Sequence, residues 1–139
     1  MAKEYRVPKT INRVAMWFNR LGLGRSETMT TIGRKSGERR EVPISPIELD
    51  GIEYVVAPYG EVSWVHNVRS NPEVTLRSGS RVRQVRLVEV TDEAAGVVKA
   101  YWDRENYPRQ YMEVPGDATA EDFASVAGRF PVFRIETKQ

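Results

Sequence analysis

The dipeptide Asp50-Gly51, set between two β-favouring segments, most constrains how this chain can fold. A two-residue type I′ turn needs positive φ at both positions, which aspartate and glycine tolerate. The flanking segments 42–49 and 52–57 are therefore predicted to form a β-hairpin. Pro43 and Pro46 lie in the first segment, and since proline cannot donate to a ladder, that strand is predicted at a sheet edge or at a bulge.

The rest of the chain predicts short strands and helices without a strand–helix–strand alternation. Strands are predicted over 28–32, 73–77, 81–90 and 130–135, with a second hairpin turning at Ser78-Gly79-Ser80. Helices are predicted over 10–21, 63–71, 92–101 and 123–127, with Ser63 and Thr91 as N-caps. The missing alternation disfavours a parallel sheet. We predict an α+β, mainly β fold: one domain over 1–139, a small six-stranded antiparallel barrel with peripheral helices.

Composition excludes several classes of chemistry. The chain has no cysteine, which removes disulfides, iron–sulfur clusters, thiol nucleophiles and cysteine zinc sites. His66 is the single histidine and cannot build a multi-histidine metal site, so no metal is expected. No apolar run approaches the roughly 18–20 residues of a membrane span, and no signal peptide opens the chain. The expected location is the cytoplasm.

The formal net charge of +2 conceals an uneven distribution along the chain. Residues 1–91 carry fifteen Lys and Arg against ten Asp and Glu, a balance of +5. Residues 92–122 carry three against eight, a balance of −5, and residues 123–139 carry three against one, a balance of +2. The basic first part suits an anionic ligand, a nucleic acid or an acidic membrane surface, and composition does not choose among them.

The first 25 residues are predicted to contain a basic amphipathic helix. Ile11, Val14, Phe18 and Leu21 recur at helical spacing with Trp17 beside them, while arginines and asparagines occupy the other face. This pattern fits a terminal helix packed on the core. It also fits an interfacial helix that would place the protein at the inner face of the cell membrane.

The densest cationic cluster lies between two glycines, directly after the predicted strand 28–32. The loop Gly33–Arg40 reads GRKSGERR. Glycine lets the backbone approach a ligand, successive loop amides can form an anion-binding concavity, and the basic side chains add charge. The glycine spacings of a P-loop and of a dinucleotide fingerprint do not occur here. The loop is either an anion site or a solvated basic turn.

Two further segments carry side chains suited to a planar ligand. On the predicted helix 63–71, Trp64 and Asn67 share a face and could flank a heterocycle, although a buried Trp and a helix-ending polar residue explain them equally well. Tyr101, Tyr107 and Tyr111 surround the stretch 103–118, where a phenol could donate to a reacting oxygen or simply pack.

Three segments resemble, in order and spacing, the signature of the deazaflavin-dependent nitroreductase family. They are Thr30-Thr31-Ile32-Gly33-Arg34-Lys35-Ser36-Gly37-x-x-Arg40-x-x-Pro43, Trp64-x-x-Asn67-x-Arg69-x-Asn71-Pro72 and Phe130-Pro131-Val132-Phe133. The resemblance implies the six-stranded antiparallel split β-barrel of the flavin-binding superfamily. It also implies binding of the 8-hydroxy-5-deazaflavin coenzyme F420.

The resemblance assigns roles to particular residues. The F420 tail, a phosphodiester followed by polyglutamate, would contact the cationic loop, and the tricyclic ring would lie in an apolar slot. The implied cofactor-binding residues are Thr28, Met29, Thr30, Arg34, Lys35, Ser36, Gly37, Arg40, Pro43, Ala57, Pro58, Ser63, Trp64 and Asn67. Tyr107 and Tyr111 correspond to the tyrosines that border the family's substrate pocket and are the implied catalytic residues. The chain departs from the family pattern at Pro58, where a serine is common.

The implied activity is hydride transfer from reduced F420 to a quinone, a nitroaromatic or an activated enone, in a monomer or homodimer. The partner would be a small-molecule electron acceptor. One alternative is a protein of the same fold that binds flavin mononucleotide or a fatty acid with little turnover. Another is a basic nucleic-acid-binding barrel that uses Arg77, Arg81, Arg83 and Arg86.

Overall fold

The computed structural model describes residues 26–104 and 129–137. These ranges contain β1 (Glu27–Ile32), β2 (Arg39–Ile44), β3 (Ile47–Leu49), β4 (Ile52–Val56), α1 (Ser63–Ser70), β5 (Glu73–Ser78), β6 (Arg81–Val90), α2 (Ala94–Arg104) and β7 (Val132–Thr137). The predicted helices over 10–21 and 123–127, and the tyrosines 107 and 111, lie outside the described residues. In the described ranges, neither helix has the length and apolar character needed to cross a membrane.

The seven strands form one antiparallel sheet in the order β2-β1-β5-β6-β7-β4-β3. The two edge strands, β2 and β3, are separated in the chain only by Ser45 and Pro46. Three residue steps span at most about 11 Å, so the two edges of the sheet must lie close together. The sheet therefore curls on itself, which confirms the mainly β split barrel.

The segment 42–49, predicted as one strand, is two strands, and the described residues therefore hold seven strands where six were predicted. The physical reason is Pro46, which cannot continue a ladder and stands where the chain leaves one sheet edge for the other. Arg104 at the end of α2 satisfies the exposed carbonyls of this break, because its guanidinium donates to the oxygens of Pro46 at 2.8 Å and Ser45 at 3.0 Å.

Two smaller predictions also differ from the structure. The N-cap position of α1 is Val62, with no side-chain capping bond, and Ser63 is the first helical residue. The helix predicted over 92–101 spans Ala94–Arg104 instead. The Asp50-Gly51 turn is confirmed, because φ is 54° at Asp50 and 80° at Gly51, and the flanking residues pair in register.

Alternation along the strands builds a core on each face of the sheet. The inner core packs α1 against the concave face through Met29, Val55, Trp64, Val65, Val68, Leu76, Val85 and Phe133. The outer core packs α2 on the opposite face through Tyr54, Val56, Val97, Val98, Tyr101, Trp102 and Val132. Val55 faces the inner core, whereas Tyr54 and Val56 face the outer core, because successive side chains of a strand point to opposite faces of the sheet.

The two ends of the barrel carry different charges. β1 runs from Glu27 towards the cationic loop, so this loop lies at one end. At the other end Arg83, on the same face of β6 as Val85, reaches Glu53 at 2.8 Å and Glu27 at 3.4 Å. Because Glu27 and Glu53 belong to strands on either side of β6 in the sheet order, this ion cluster bridges the barrel end.

Candidate functional site

The cationic loop, Gly33–Arg40, is a closed turn between β1 and β2. Its backbone is joined by hydrogen bonds from Gly37 N to Gly33 O at 2.8 Å and from Gly33 N to Glu38 O at 2.7 Å. Ser36 Oγ accepts a further bond from Glu38 N at 3.1 Å. Gly37 has a φ of 72°, which favours glycine. The loop conformation is therefore set by its own sequence.

Gly33 is favoured for a different reason, because other atoms of the loop lie close to its Cα. A Cβ at this position would stand 2.9 Å from Ser36 Oγ and 3.2 Å from the carbonyl oxygen of Glu38. Both distances are tighter than ordinary van der Waals contact, so any larger residue would push the turn open.

Four basic side chains of the loop are exposed: Arg34, Lys35, Arg39 and Arg40. Arg40 pairs with Glu38 at 3.3 Å, and both side chains are more than half exposed, so this pair is weak. Lys35 and Arg39 form no ion pair with any residue in the described ranges. Their ammonium and guanidinium groups remain available to an anionic ligand.

Asn67 joins the cationic loop to helix α1. Its Oδ1 accepts from the backbone N of Arg34 at 3.1 Å and from Nη1 of the same arginine at 2.9 Å. Its Nδ2 donates to Thr31 Oγ1 at 3.5 Å, and Arg34 Nη1 also reaches the carbonyl oxygen of Ser63 at 3.4 Å. Residues 33 apart in the sequence are thus in direct contact.

Trp64 belongs mostly to the inner core. Its ring is 8% exposed and lies 5.6 Å from the ring of Phe133, at an interplanar angle of 53°. The indole therefore packs as a core aromatic. Asn67 lies on the same buried side of α1, so the shared face predicted from their spacing is present.

The β1 residues assigned to the cofactor do not all face one side. Met29 is fully buried in the inner core, whereas Thr28 and Thr30 project from the opposite face. Thr28 is opposite Pro43 of β2 in the antiparallel register, which places these two predicted residues side by side. Thr28 is itself buried, with 2% of its surface exposed, and Thr30 is half-buried, so of these three residues Thr30 is the most accessible to a ligand.

The remaining predicted residues fall into two groups. Ala57 and Pro58 are buried at the end of β4, where Ala57 N donates to Pro131 O at 2.9 Å. Ser36, Gly37 and Ser63 are exposed. Tyr101, a candidate at the aromatic stretch, is buried in the outer core, on the face of the sheet that α2 covers.

Thr31 is a site residue to which the sequence interpretation gave no role. It is fully buried, donates to the carbonyl oxygen of Arg40 at 3.5 Å and accepts from Asn67. It therefore links the last residue of the loop, Arg40, to α1. The available signal was its position in β1, two residues after the buried Met29 and hence on the same side of the strand.

Arg69 is the second residue whose role the sequence did not reveal. It donates to Glu89 of β6 at 2.9 and 2.8 Å and also contacts Glu61, which precedes α1. The hydrogen bond from Arg69 holds the pKa of Glu61 below its ordinary value. These pairs attach the far end of α1 to the sheet, and Arg69 stands inside the helix motif quoted above.

Two of the four arginines offered for nucleic-acid binding form ion pairs within the protein. Arg83 points into the barrel end, where Glu27 and Glu53 compensate its charge. Arg86 pairs with Glu73 at 3.3 Å. These contacts break up the continuous basic surface that phosphate-driven binding would use. Among the described residues no group of three or more acidic or histidine side chains could hold a metal ion.

Comparison with known proteins agrees with this geometry. A family model described as F420H(2)-dependent quinone reductase matches residues 13–114 of the 139. The chain belongs to this family. The family's cofactor is coenzyme F420, and the protein is therefore an F420-dependent reductase.

Solved structures support the same fold. The chain is similar to an F420-H2 dependent reductase, with 25% identity, a TM-score of 0.57, and coverage of 81% of this chain and 94% of that one. A second relative, described as a domain-swapped dimer, is 23% identical, with a TM-score of 0.57 and coverage of 92% and 95%. A FAD-binding protein from Mesorhizobium loti is 20% identical, with a TM-score of 0.52 and coverage of 86% of each chain.

The described residues fit the cofactor of the family. The cationic loop offers exposed Lys and Arg groups, a serine hydroxyl and a preformed turn, which is the chemistry that a phosphodiester and polyglutamate tail requires. This fit concerns the tail, because Trp64 is only 8% exposed and Ala57 and Pro58 are buried.

Proposed function

We propose that this F420-dependent reductase reduces a quinone, with nitroaromatics and activated enones as further acceptors of the same chemical class. The observation that carries the proposal is the cationic loop, held by Asn67 against the helix that also presents Trp64. Family membership supports the cofactor, and the exposed cationic loop supports a site for its charged tail.

The binding roles divide between the loop and the surfaces next to it. Arg34, Lys35, Ser36, Gly37 and Arg40 would hold the anionic tail through charge-assisted and backbone hydrogen bonds. Around the ring would lie Thr28, Met29, Thr30, Pro43, Ala57, Pro58, Ser63, Trp64 and Asn67. When bound in its reduced form, the deazaflavin supplies a hydride, and the protein's own task is to orient it and exclude water.

Tyr107 and Tyr111 are proposed to act on the acceptor. A phenol can donate a proton or hydrogen bond to the oxygen that becomes negatively charged as a quinone is reduced. Replacing each tyrosine by phenylalanine is expected to lower turnover while cofactor affinity stays unchanged. Turnover equal to that of the unaltered protein would remove that tyrosine from the mechanism.

The activity is tested by mixing the purified protein with reduced F420 and following its reoxidation by a menadione-like quinone. The proposal expects protein-dependent reoxidation that saturates with quinone, and slower reoxidation by a nitroaromatic or an enone. F420 binding without reoxidation by any of the three would refute the acceptor assignment and leave the cofactor assignment standing.

Alternative ligands, assembly and location are tested separately. Since a solved relative is described as a FAD-binding protein, titrations with flavin mononucleotide and a fatty acid serve as competitors to F420. Another relative is described as a domain-swapped dimer, so a homodimer is proposed here and is checked by sedimentation. Contact of the predicted helix 10–21 with a membrane is checked by co-flotation with anionic vesicles.

A further inference from the structure

We infer that Asn67 acts on the cofactor through Arg34, as a positioning residue, and not by contacting the deazaflavin ring. The inference rests on the proposed function, in which the cationic loop binds the anionic tail. It changes the role that the family resemblance gives to this asparagine.

The hydrogen-bonding capacity of Asn67 is largely used within the protein. Its Oδ1 has two lone pairs, and two donors of Arg34 approach it, the backbone N at 3.1 Å and Nη1 at 2.9 Å. One Nδ2 hydrogen goes to Thr31 at 3.5 Å. The residue is only 4% exposed. Both groups that contact Oδ1 are N–H donors, so the side-chain amide is fixed with Oδ1 towards Arg34.

The same contacts select one edge of the Arg34 guanidinium. Nη1 carries two hydrogens, and its two partners are Asn67 Oδ1 and, at 3.4 Å, the carbonyl oxygen of Ser63. Five N–H donors exist in an arginine, so the Nε and Nη2 hydrogens remain. This pair forms the fork that binds a phosphate or carboxylate through two parallel bonds. Asn67 thus leaves the anion-binding edge free and holds it in place.

The experiment compares two ligands: F420, and the 8-hydroxy-5-deazaflavin ring without its phosphodiester and polyglutamate tail. Dissociation constants are measured for the unaltered protein, for Asn67→Ala and for a control, Val68→Ala, which opens a cavity in the same helix without touching Arg34. Asn67→Ala is expected to weaken F420 binding about tenfold, the scale of one hydrogen bond to a charged group, and to leave binding of the tail-free ring unchanged. The control should lower the unfolding temperature and preserve the ratio of the two affinities.

Equal loss for both ligands would overturn the inference, because it would show the amide acting on the ring, and no loss for either would overturn it as well. Arg34→Met completes a double-mutant cycle. If Asn67 acts through Arg34, the double variant binds F420 no more weakly than Arg34→Met alone. Additive losses would contradict this route.

Hydrogen exchange of the Arg34 backbone amide gives a readout that needs no cofactor. Asn67→Ala should accelerate this exchange, whereas Asn67→Asp, which keeps the acceptor oxygens, should preserve its protection. If Asn67→Ala does not fold, Arg34→Met must still weaken F420 binding and leave binding of the tail-free ring unchanged, because Arg34 is the group through which Asn67 acts. A protein that binds no F420 refutes the proposed function, whereas an unchanged exchange rate refutes the positioning role.

Discussion

Glu38 is the one acidic residue in the cationic loop. It forms an ion pair with Arg40, whose guanidinium could otherwise bind a ligand. Its carboxylate lies 3.3 Å from Arg40. Because both side chains are well exposed, the pair is worth at most about 1 kcal/mol. Replacing Glu38 by glutamine should therefore tighten F420 binding by roughly two- to fivefold, by freeing Arg40 and removing a repulsion.

The matched control for this prediction is Glu41→Gln. Glu41 is exposed on β2, just beyond the loop, and its replacement changes the net charge equally. Titration of both variants with F420 distinguishes the release of Arg40 from the effect of a change in net charge. Equal tightening in both variants would mean that Glu38 does not restrain Arg40.

Tyr54 provides a prediction on stability at alkaline pH. Its hydroxyl donates to Glu93 at 2.5 Å, and this bond, together with burial, raises the pKa of Tyr54. A raised pKa contributes stability that is complete below the pKa of an unfolded tyrosine, about 10, and is lost as pH rises through the folded value. Tyr54→Phe should thus cost about 1 kcal/mol at pH 7.

The pH dependence of that cost is the decisive observation. Urea unfolding of both proteins should show a difference that is constant from neutral pH up to about pH 10 and then narrows. A difference that widens above that pH would contradict the assigned bond between Tyr54 and Glu93.

At the scale of elements, α1 is held to the cationic loop and to the sheet by two of its side chains. Asn67 joins it to the cationic loop, and Arg69 joins its last turn to Glu61 and Glu89. The lowered pKa of Glu61 adds stability that is present above the unfolded value, about 4.3, and is lost as pH falls through the folded value.

Arg69→Met is therefore expected to destabilise the protein by about 1–2 kcal/mol at pH 7. The difference from the unaltered protein should shrink in thermal or urea unfolding as pH falls below about 4.3 and through the lowered pKa of Glu61. An undiminished difference at acid pH would show that Arg69 contributes through packing and not through its ion pairs.

The elements that the sequence predicted well are those fixed by local chemistry. The Asp50-Gly51 turn follows from the φ values these residues tolerate, and the hairpin at Ser78-Gly79-Ser80 joins β5 to β6 as expected. In the sequence, the break at Ser45-Pro46 was marked only by the prolines in the predicted strand 42–49. Its consequence, a chain that passes from one sheet edge to the other, depends on the strand order, which no local pattern encodes.

The candidate site shows the same division. Glycine spacing and charge identified the cationic loop, and the periodicity of α1 placed Trp64 and Asn67 on one face. The bonds from Asn67 to Arg34 and Thr31 join segments more than thirty residues apart. The sequence could bring these residues near one another only by resemblance, and it could not show that the amide serves the loop.

At the scale of the whole molecule, Arg83 closes the barrel end opposite the cationic loop. It is 18% exposed and connects Glu27 and Glu53, which lie on strands on either side of its own. Arg83→Met leaves two partly buried carboxylates without their cation. We expect a loss of about 2–4 kcal/mol of unfolding free energy, measured with urea.

Arg81→Met is the control for this prediction, since Arg81 is an exposed residue of the same strand. Its effect should stay within about 0.5 kcal/mol. Equal effects of the two substitutions would show that the ion cluster does not stabilise the barrel end.

The central claim is that the cationic loop binds the anionic tail of F420. The most direct measurement is an equilibrium titration of F420 into the unaltered protein, into Lys35→Ala/Arg40→Ala, and into Arg81→Ala/Arg86→Ala as a control that removes the same charge. The account predicts micromolar binding that weakens at least about tenfold in the loop variant and changes little in the control. Equal affinities in all three proteins, or no binding to the unaltered protein, would contradict it.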